Sequence, residues 1–353
     1  MKLFEFTQRF PDEASCESYL KAQREKSGIV CKKCGCHKNY WDSHNKCWRC
    51  SKCGHETTLT ADTVMHNSKL PLMYWFKAIH LLTSTKNTFS TSEMQRQLGH
   101  KRYQPIWEMM HKLRNVMGKR DNKYALLGSV EVDEGFFSTE IPDEQKDEPL
   151  KRGAGSQAKT KVLVMAESTE QDNPKKGQKS KKVGHIKMVV IPDSKKETID
   201  PIASTDIDRD AAVVSDGTKS HVNFPKMFSE YVGRKIDPKE IGKVLPWVHI
   251  AISNSKSLMK NIYHGIKPEF LQEYLNEFCY KFNRRYFGDK LFDRLMIASV
   301  ACTSDFEHRI YNRNLSAGCG KSFLLLSNSL VTLNKECISL CLNIRGPIAF
   351  DIV

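Results

Sequence analysis

Apolar residues change their spacing several times along the chain, and each change predicts a different element. After Pro71 they recur every three or four positions, which predicts a helix with proline in its first turn, where a missing N–H costs little. The residues in this pattern are Leu72, Trp75, Phe76, Ile79 and Leu82. A further helix is predicted through Ile106, Met109, Met110 and Leu113.

The segment between these helices carries residues that typically begin and end a helix. Thr91 is a helix-capping residue type, and the short pattern that follows ends at Leu98-Gly99. Two short helices around a glycine turn resemble a helix-turn-helix. Such a segment either contacts DNA or packs Trp107 and its methionines into a core, and the sequence leaves both interpretations open. Its basic residues favour contact with DNA, notably Lys101, Arg102 and Arg114.

Three β-rich runs follow, at 129–137, 161–168 and 185–191, and they predict an antiparallel sheet. The polar, basic stretch 171–182 between the last two is predicted to be an exposed hairpin tip. Farther on, Phe270, Tyr274, Phe278 and Phe282 recur at helical spacing. We interpret that aromatic stripe as core.

Two aspartates lie inside or at the end of apolar β-rich runs, where a carboxylate is unusual. Asp133 lies inside the first β-rich run, where a charge is costly unless it binds a cation or a partner. Asp216 ends the apolar run 211–215 and precedes Gly217, which is also common turn chemistry. Both are candidate metal ligands.

Cysteine spacing predicts a second kind of metal site. Six of the twelve cysteines fall between Cys31 and Cys53. The pairs Cys31/Cys34 and Cys50/Cys53 have the spacing of a four-cysteine zinc site, whose metal can fold a segment too short for its own core. Cys36, Cys47 and nearby histidines remain alternative ligands.

Composition narrows the class of protein. A chain of 353 residues with 40% hydrophobic and 27% charged residues is expected to fold into about two or three units rather than to be disordered. It lacks the run of roughly 20 apolar residues that spans a membrane, and its N-terminus does not resemble a signal peptide, so we expect a soluble cytosolic protein. The net charge of +14 favours a polyanionic partner, with nucleic acid the first candidate and an anionic membrane the second.

Taken in order, these motifs resemble a known family. The chain looks like the bacterial insertion-sequence transposases that have an N-terminal zinc ribbon and a DDE-type catalytic domain. The resemblance is carried by the order of the four-cysteine segment, the helix-turn-helix-like segment, Val-Glu-Val-Asp133-Glu, Val-Val-Ser-Asp216-Gly, His249-Ile-Ala-Ile-Ser-Asn254-Ser-Lys256 and the block 274–285. The resemblance extends from about residue 12 to about residue 302. It implies an α/β, ribonuclease-H-like fold, a mixed five-stranded sheet flanked by helices, with acids on adjacent strands and a third ligand on a later helix.

The same resemblance implies the site. The third position is glutamate in many members and asparagine in one branch, so Asn254 is the expected third residue beside Asp133 and Asp216, together holding Mg²⁺ or Mn²⁺. His249 is the competing assignment, because it precedes Lys256 by the seven residues that separate glutamate and lysine in other members. Lys256 matches the family's lysine and is expected to contact DNA phosphate.

The implied activity is metal-dependent cleavage of double-stranded DNA at the element's ends and transfer of the freed strand to target DNA. The alternative is an inactive DNA-binding protein descended from a transposase. We expect a homodimer or higher assembly on DNA, associated with the nucleoid and with no membrane contact.

The expected segments are a helical lead-in (1–27), the zinc ribbon (28–66), the helix-turn-helix-like segment (67–122), the catalytic domain (123–302) and a tail (303–353) outside the resemblance. In the tail, Gly318–Ser322 looks like part of a phosphate loop, but Leu315 stands where its first glycine belongs, so no nucleotide site is predicted.

Overall fold

The computed structural model describes residues 1–171, 181–233, 244–263 and 265–306. The predicted hairpin tip lies largely outside this range, at 172–180, and so does the tail beyond residue 306 with its Gly318–Ser322 motif. Within the described residues, no helix has the length and apolarity needed to cross a membrane.

The chain begins with two helices, α1 (Leu3–Arg9) and α2 (Glu13–Ser27). The Asp12 side chain accepts a hydrogen bond of 2.8 Å from the backbone N–H of Ser15, which caps the start of α2. A small antiparallel sheet follows, formed by β1 (Asn39–Asp42), β2 (Cys47–Cys50) and β3 (Glu56–Thr58) in that order.

The predicted helix after Pro71 is α3 (Leu72–Ser84), and α4 (Thr91–Leu98) and α5 (Tyr103–Asp121) follow it. The cap of α4 is Ser90 rather than Thr91, since the Ser90 hydroxyl accepts the N–H of Glu93 at 3.1 Å. Gly99 ends α4 with a φ of +65°, a left-handed conformation that favours glycine. The predicted helix–turn–helix sequence of elements is therefore present.

The remaining elements are, in chain order, β4 (Ser129–Ser138), β5 (Lys159–Glu170), β6 (Lys181–Ile191), α6 (Lys196–Asp206), β7 (Ala212–Ser215), α7 (Phe224–Met227), β8 (Glu230–Gly233), α8 (Pro246–Ile262), α9 (Leu271–Asn283) and α10 (Leu291–Ala301).

The five strands form one mixed sheet in the order β6-β5-β4-β7-β8. The three long strands β4, β5 and β6 pair with one another in antiparallel fashion, as predicted, whereas β7 pairs in parallel with β4 and β8 pairs in parallel with β7. Helices cover both faces of this sheet. The α/β, ribonuclease-H-like arrangement implied by the sequence is therefore confirmed.

Strand β5 shows why its sequence is apolar without alternation. Val162 and Val164 pack towards α8 and α9, while Leu163 and Met165 pack towards α6 and α7. Successive side chains point to opposite faces of a strand, and here both faces are covered.

The predicted aromatic stripe lies at the margin of the core rather than at its centre. On α9 the fully buried positions include Leu271 and Leu275, whereas Tyr274, Phe278 and Phe282 are half-buried and pack against that core. The helical periodicity of the aromatic residues located the helix correctly, but its most buried face is displaced by one residue.

Helix α10 packs with the N-terminal helices instead of with the sheet. Phe292 on α10 contacts Phe6 and Phe10, with ring centroids 5.9 and 5.7 Å apart, and the N–H of Val64 donates to the carbonyl of Ser299 at 2.9 Å. The buried methionines of α5 belong to the same cluster. The N-terminal segments and the end of the predicted catalytic segment thus share one hydrophobic core.

Candidate active site and metal centre

The two predicted aspartates meet at the edge where β4 and β7 run side by side. In this parallel pair Val132 is opposite Ser215, so the next residue on each strand, Asp133 and Asp216, lie beside each other. One oxygen from each, together with one from Glu134, lies within 4.8 Å of the other two. The fold therefore brings together the two acids that the sequence separates by more than 80 residues.

Glu134 and His221 belong to this cluster but were not singled out from the sequence. Glu134 accepts a hydrogen bond of 2.9 Å from the Ser220 hydroxyl. The buried His221 ring lies between the acids, 3.7 Å from the Glu134 carboxylate and 3.6 Å from that of Asp216. The sequence signal for Glu134 was its adjacency to Asp133, whereas nothing in the sequence set His221 apart.

Helix α8 packs against the face of the sheet that carries the Asp133 and Gly135 positions of β4, and His249 on this helix lies beside Asp133. The His249 Nε2 atom is 3.5 Å from Asp133 Oδ2. Lys256, two turns later and within about 20° of His249 around the helix, lies on the same face. Its ammonium group is 5.5 Å from the Phe137 ring centroid on β4. The structure thus places His249 at the acidic cluster and Lys256 on the same face of α8, beside Phe137 farther along β4.

Asn254 is placed elsewhere. It lies five residues after His249, about 140° around α8, and its side chain is exposed. It lines a separate cavity together with residues such as Thr85, Lys281 and Phe282. The structure brings together Asp133, Asp216 and His249, and it does not bring Asn254 to them.

The start of α8 is fixed by a buried carboxylate on β4. Glu131 Oε2 accepts the N–H groups of Trp247 and Val248 at 2.7 and 3.1 Å, in the first turn of α8, where N–H groups have no partner within the helix. Farther along the strand, a Cβ on Gly135 would lie only 3.3 Å from the Ile252 side chain, so β4 and α8 approach closely there. In the sequence Glu131 stands out only as a member of the motif Val-Glu-Val-Asp133-Glu, because its role depends on contacts 116 residues away.

The pKa values of the two aspartates are shifted in opposite directions. Burial raises the pKa of Asp133 to about 6, and the carboxylates of Asp216 and Glu134 act in the same direction. Burial also acts to raise the pKa of Asp216, but hydrogen bonds from His221 and from the Thr218 N–H outweigh it and lower that pKa. Burial lowers the pKa of His249, which favours its neutral form. A cluster of close carboxylates beside a neutral imidazole suits a bound cation.

The predicted cysteine site has the geometry of a tetrahedral centre. The sulfurs of Cys31, Cys34, Cys50 and Cys53 all lie within 4.8 Å of one another, with Cys31–Cys53 and Cys34–Cys50 separations of 3.5 Å. Tetrahedral zinc with Zn–S bonds of about 2.3 Å would require about 3.8 Å. The alternative ligands Cys36 and Cys47 are not in this group.

Two backbone turns shape the cysteine pairs. The N–H of Gly35 donates to the Cys31 carbonyl at 2.8 Å, and the N–H of Gly54 donates to the Cys50 carbonyl at 3.0 Å. Both glycines have φ near +70°, namely +68° and +69°. Each pair therefore lies on a tight turn of the same form, and the four residues fit zinc.

The predicted DNA-contacting residues have different environments. Lys101 and Arg102 are exposed in the turn between α4 and α5, where the Gln95 side chain donates to the carbonyls of His100 and Lys101. Arg114, by contrast, is fully buried. Its guanidinium donates to Glu277 at 2.8 Å and to the Tyr263 hydroxyl at 2.9 Å. The expectation of DNA contact for Arg114 is therefore corrected, because the side chain is an internal ion-pair partner.

Comparison with known proteins gives one family for part of the chain. No curated protein matches the chain. Residues 125–283, which include β4 to β8, α8 and α9, match the ISXO2-like transposase domain. A domain of this family implies a protein that binds and modifies DNA with the help of divalent metal ions. The segment 125–283 therefore belongs to the family of ISXO2-like transposase domains.

Proposed function

We propose that this protein is a transposase that cleaves DNA at the ends of an insertion sequence and joins the freed end to target DNA, using divalent metal ions. The observation that carries the proposal is the convergence of Asp133, Asp216 and His249 inside a transposase domain. Neither strand cleavage nor strand transfer needs a protein nucleophile, because water and then a DNA 3′-hydroxyl attack phosphorus.

We assign the metal-binding role to Asp133 and Asp216, with His249 as the third residue in preference to Asn254. Support comes from distance, since His249 Nε2 is 3.5 Å from Asp133, whereas Asn254 lies on another face of α8. Glu134 is a further candidate ligand because its carboxylate is within 4.8 Å of both aspartates. Mg²⁺ or Mn²⁺ fits such a set of oxygen donors, and Zn²⁺ fits Cys31, Cys34, Cys50 and Cys53.

When bound, divalent ions would activate the attacking hydroxyl and neutralise charge on the phosphate. The remaining work falls to the protein's own side chains. Lys256 carries a positive charge on the same face of α8 as His249 and beside Phe137, where it can bind a phosphate oxygen of DNA. Glu131 holds the start of α8 and so orients His249 and Lys256 over the acids.

DNA binding away from the reacting phosphate is assigned to the helix-turn-helix-like segment and the zinc ribbon. Lys101 and Arg102 are exposed in its turn and can contact the phosphate backbone. The chain's net charge of +14 supports strong, salt-dependent binding. Because two element ends must be held together, we propose a homodimer or higher assembly on DNA, acting at the nucleoid in the cytoplasm.

A non-catalytic DNA-binding protein is the second candidate. The observation that favours it is the imidazole at the third position, which brings no negative charge to the metal site. The two functions differ in what Mg²⁺ or Mn²⁺ does.

The test is an assay of labelled element-end DNA with the purified full chain, measuring binding and strand cleavage with Mg²⁺, with Mn²⁺ and with neither. A transposase is expected to bind in all three conditions and to cut only when a divalent ion is present. Binding without any cleavage under either ion would establish the second candidate instead.

A further inference from the structure

The third side chain at the acidic cluster presents nitrogen rather than oxygen. His249 Nε2 is buried and makes no hydrogen bond to any residue that the structure describes, although Asp133 Oδ2 lies 3.5 Å away. A buried ring nitrogen without a hydrogen-bond partner is uncommon in folded proteins, because the lost bond to water is not replaced. The position beside a carboxylate suits a shared cation.

The surroundings of His249 define the charge that a cation would meet. The carboxylates of Asp133, Glu134 and Asp216 are the acids of the cluster, and Lys256 on the same helix face adds one positive charge. A glutamate in place of His249 would add a fourth carboxylate. If only the number of negative charges mattered, a divalent ion would bind the wild-type site more weakly than a site with glutamate at position 249.

The donor type changes which ion is favoured. Mg²⁺ is a hard ion that prefers oxygen ligands and near-ideal octahedral geometry. Mn²⁺ also prefers carboxylate oxygens, and among the first-row transition ions it has the lowest affinity for nitrogen ligands. It still accepts a nitrogen ligand more readily than Mg²⁺, which holds its water and oxygen ligands in a strict octahedron. Replacing one oxygen ligand by an imidazole nitrogen thus weakens Mg²⁺ binding more than it weakens Mn²⁺ binding.

We propose that His249 makes this site selective for Mn²⁺ over Mg²⁺. The inference rests on the proposed function, because it takes Asp133 and Asp216 as the partners of His249 in holding the ion. It goes beyond that function by assigning the ion preference to one side chain.

Direct ion binding tests the proposal without depending on turnover. The zinc-loaded full chain is titrated with Mn²⁺ while free Mn²⁺ is followed by electron paramagnetic resonance, and Mg²⁺ is then added as a competitor. The variants are His249→Glu, His249→Ala and Asp133→Ala, and Asn254→Ala on another face of α8 is the matched control. Circular dichroism confirms that each variant is folded.

We expect wild type and Asn254→Ala to prefer Mn²⁺ over Mg²⁺ to the same degree. His249→Glu should reduce that preference by about tenfold or more, chiefly by binding Mg²⁺ more tightly, and His249→Ala should reduce it by weakening Mn²⁺ binding. If His249 only packs against the cluster or only carries a proton, the ratio of the two affinities will be the same in wild type and His249→Ala, and the proposal is overturned.

Failure of the proposed function gives a different result. If Asp133→Ala binds Mn²⁺ as wild type does, the acidic cluster is not the metal site, and both proposals are overturned together. If Asp133→Ala abolishes binding while the ratio is unchanged in His249→Ala, the metal site stands and the selectivity inference alone is wrong.

Discussion

At the scale of single residues, Asp133 is a buried carboxyl group whose ionisation lowers the stability of the fold. Its carboxyl group is largely buried beside two other carboxylates, and burial raises its pKa to about 6. In an unfolded chain the pKa of an aspartate is about 3.9. The folded protein therefore binds a proton more tightly than the unfolded chain does, and its stability falls as the pH rises from about 4 to about 6.

Asp133→Asn should consequently be more stable than wild type at pH 7 in the absence of added divalent ions. The expected gain is about 1–3 kcal/mol, and it should shrink as the pH is lowered below 5, where Asp133 is protonated in the folded protein. Urea unfolding at pH 7 and pH 4.5 measures both values. A variant less stable than wild type at pH 7 would show that the buried charge is not destabilising.

Arg114 and Arg102 make opposite predictions, although both were candidate DNA contacts. Arg114→Ala leaves the buried Glu277 with the Thr88 hydroxyl and with the ammonium group of Lys281, 3.6 Å away, so the free energy of unfolding should fall by about 3 kcal/mol. Arg102→Ala should leave stability within about 0.5 kcal/mol of wild type and weaken DNA binding at low salt. Urea unfolding and DNA titrations on both variants check the pair, and a stable Arg114→Ala protein with weakened DNA binding would restore the original expectation.

At the scale of elements, the orientation of α8 decides which residue lies beside the aspartates. The resemblance to the asparagine branch favoured Asn254, and the seven-residue spacing to Lys256 made His249 the competing assignment. The structure places His249 beside Asp133 and Asn254 on another face of the helix. The choice follows from the rotation of α8 about its axis, and that rotation is set by the Glu131 hydrogen bonds and by the contact of Ile252 with Gly135. Contacts between distant segments leave no periodic signal in the sequence, whereas the strands and helices themselves do.

Glu131→Ala should therefore lower the stability of the protein. Loss of the bonds to Trp247 and Val248 leaves those N–H groups without their partner, and we expect a loss of about 1–3 kcal/mol in the free energy of unfolding. Glu131→Gln keeps an acceptor oxygen and should lose less. Exposed Glu230 on β8 provides the control, since Glu230→Ala should change stability little. Equal stability of Glu131→Ala and Glu230→Ala would contradict this role.

At the scale of the whole molecule, the N-terminal segments and α10 share one core, and the cysteine site lies beside it. Arg24 on α2 donates to the carbonyl of Leu59, which follows β3, at 2.8 Å, and Trp48 of β2 is part of that core. The cysteine ligands could be predicted from sequence because each pair is local. The shared core could not, because Phe6 and Phe292 are far apart in the chain and carry no marker of their contact.

Removal of zinc should consequently destabilise more than the ribbon. We expect one zinc per chain in wild type and its loss in Cys34→Ser, with a lower melting temperature for the N-terminal helices as well. Metal analysis and thermal unfolding test this, and Cys36→Ser is the matched control because its sulfur lies outside the four-sulfur group. Zinc retained by Cys34→Ser but lost from Cys36→Ser would reassign the ligands.

We propose that Asp133, Asp216 and His249 together form a metal-dependent DNA-cleaving site. Strand cleavage of labelled element-end DNA with Mn²⁺ by wild type, Asp133→Ala, Asp216→Ala, His249→Ala and Asn254→Ala tests this proposal. We predict that Asp133→Ala, Asp216→Ala and His249→Ala cleave at least about a hundredfold more slowly than wild type while still binding DNA, a loss on the order of that caused by removing a reacting group. Asn254→Ala should cleave within a fewfold of the wild-type rate. Loss of cleavage in Asn254→Ala with full activity in His249→Ala would contradict the account.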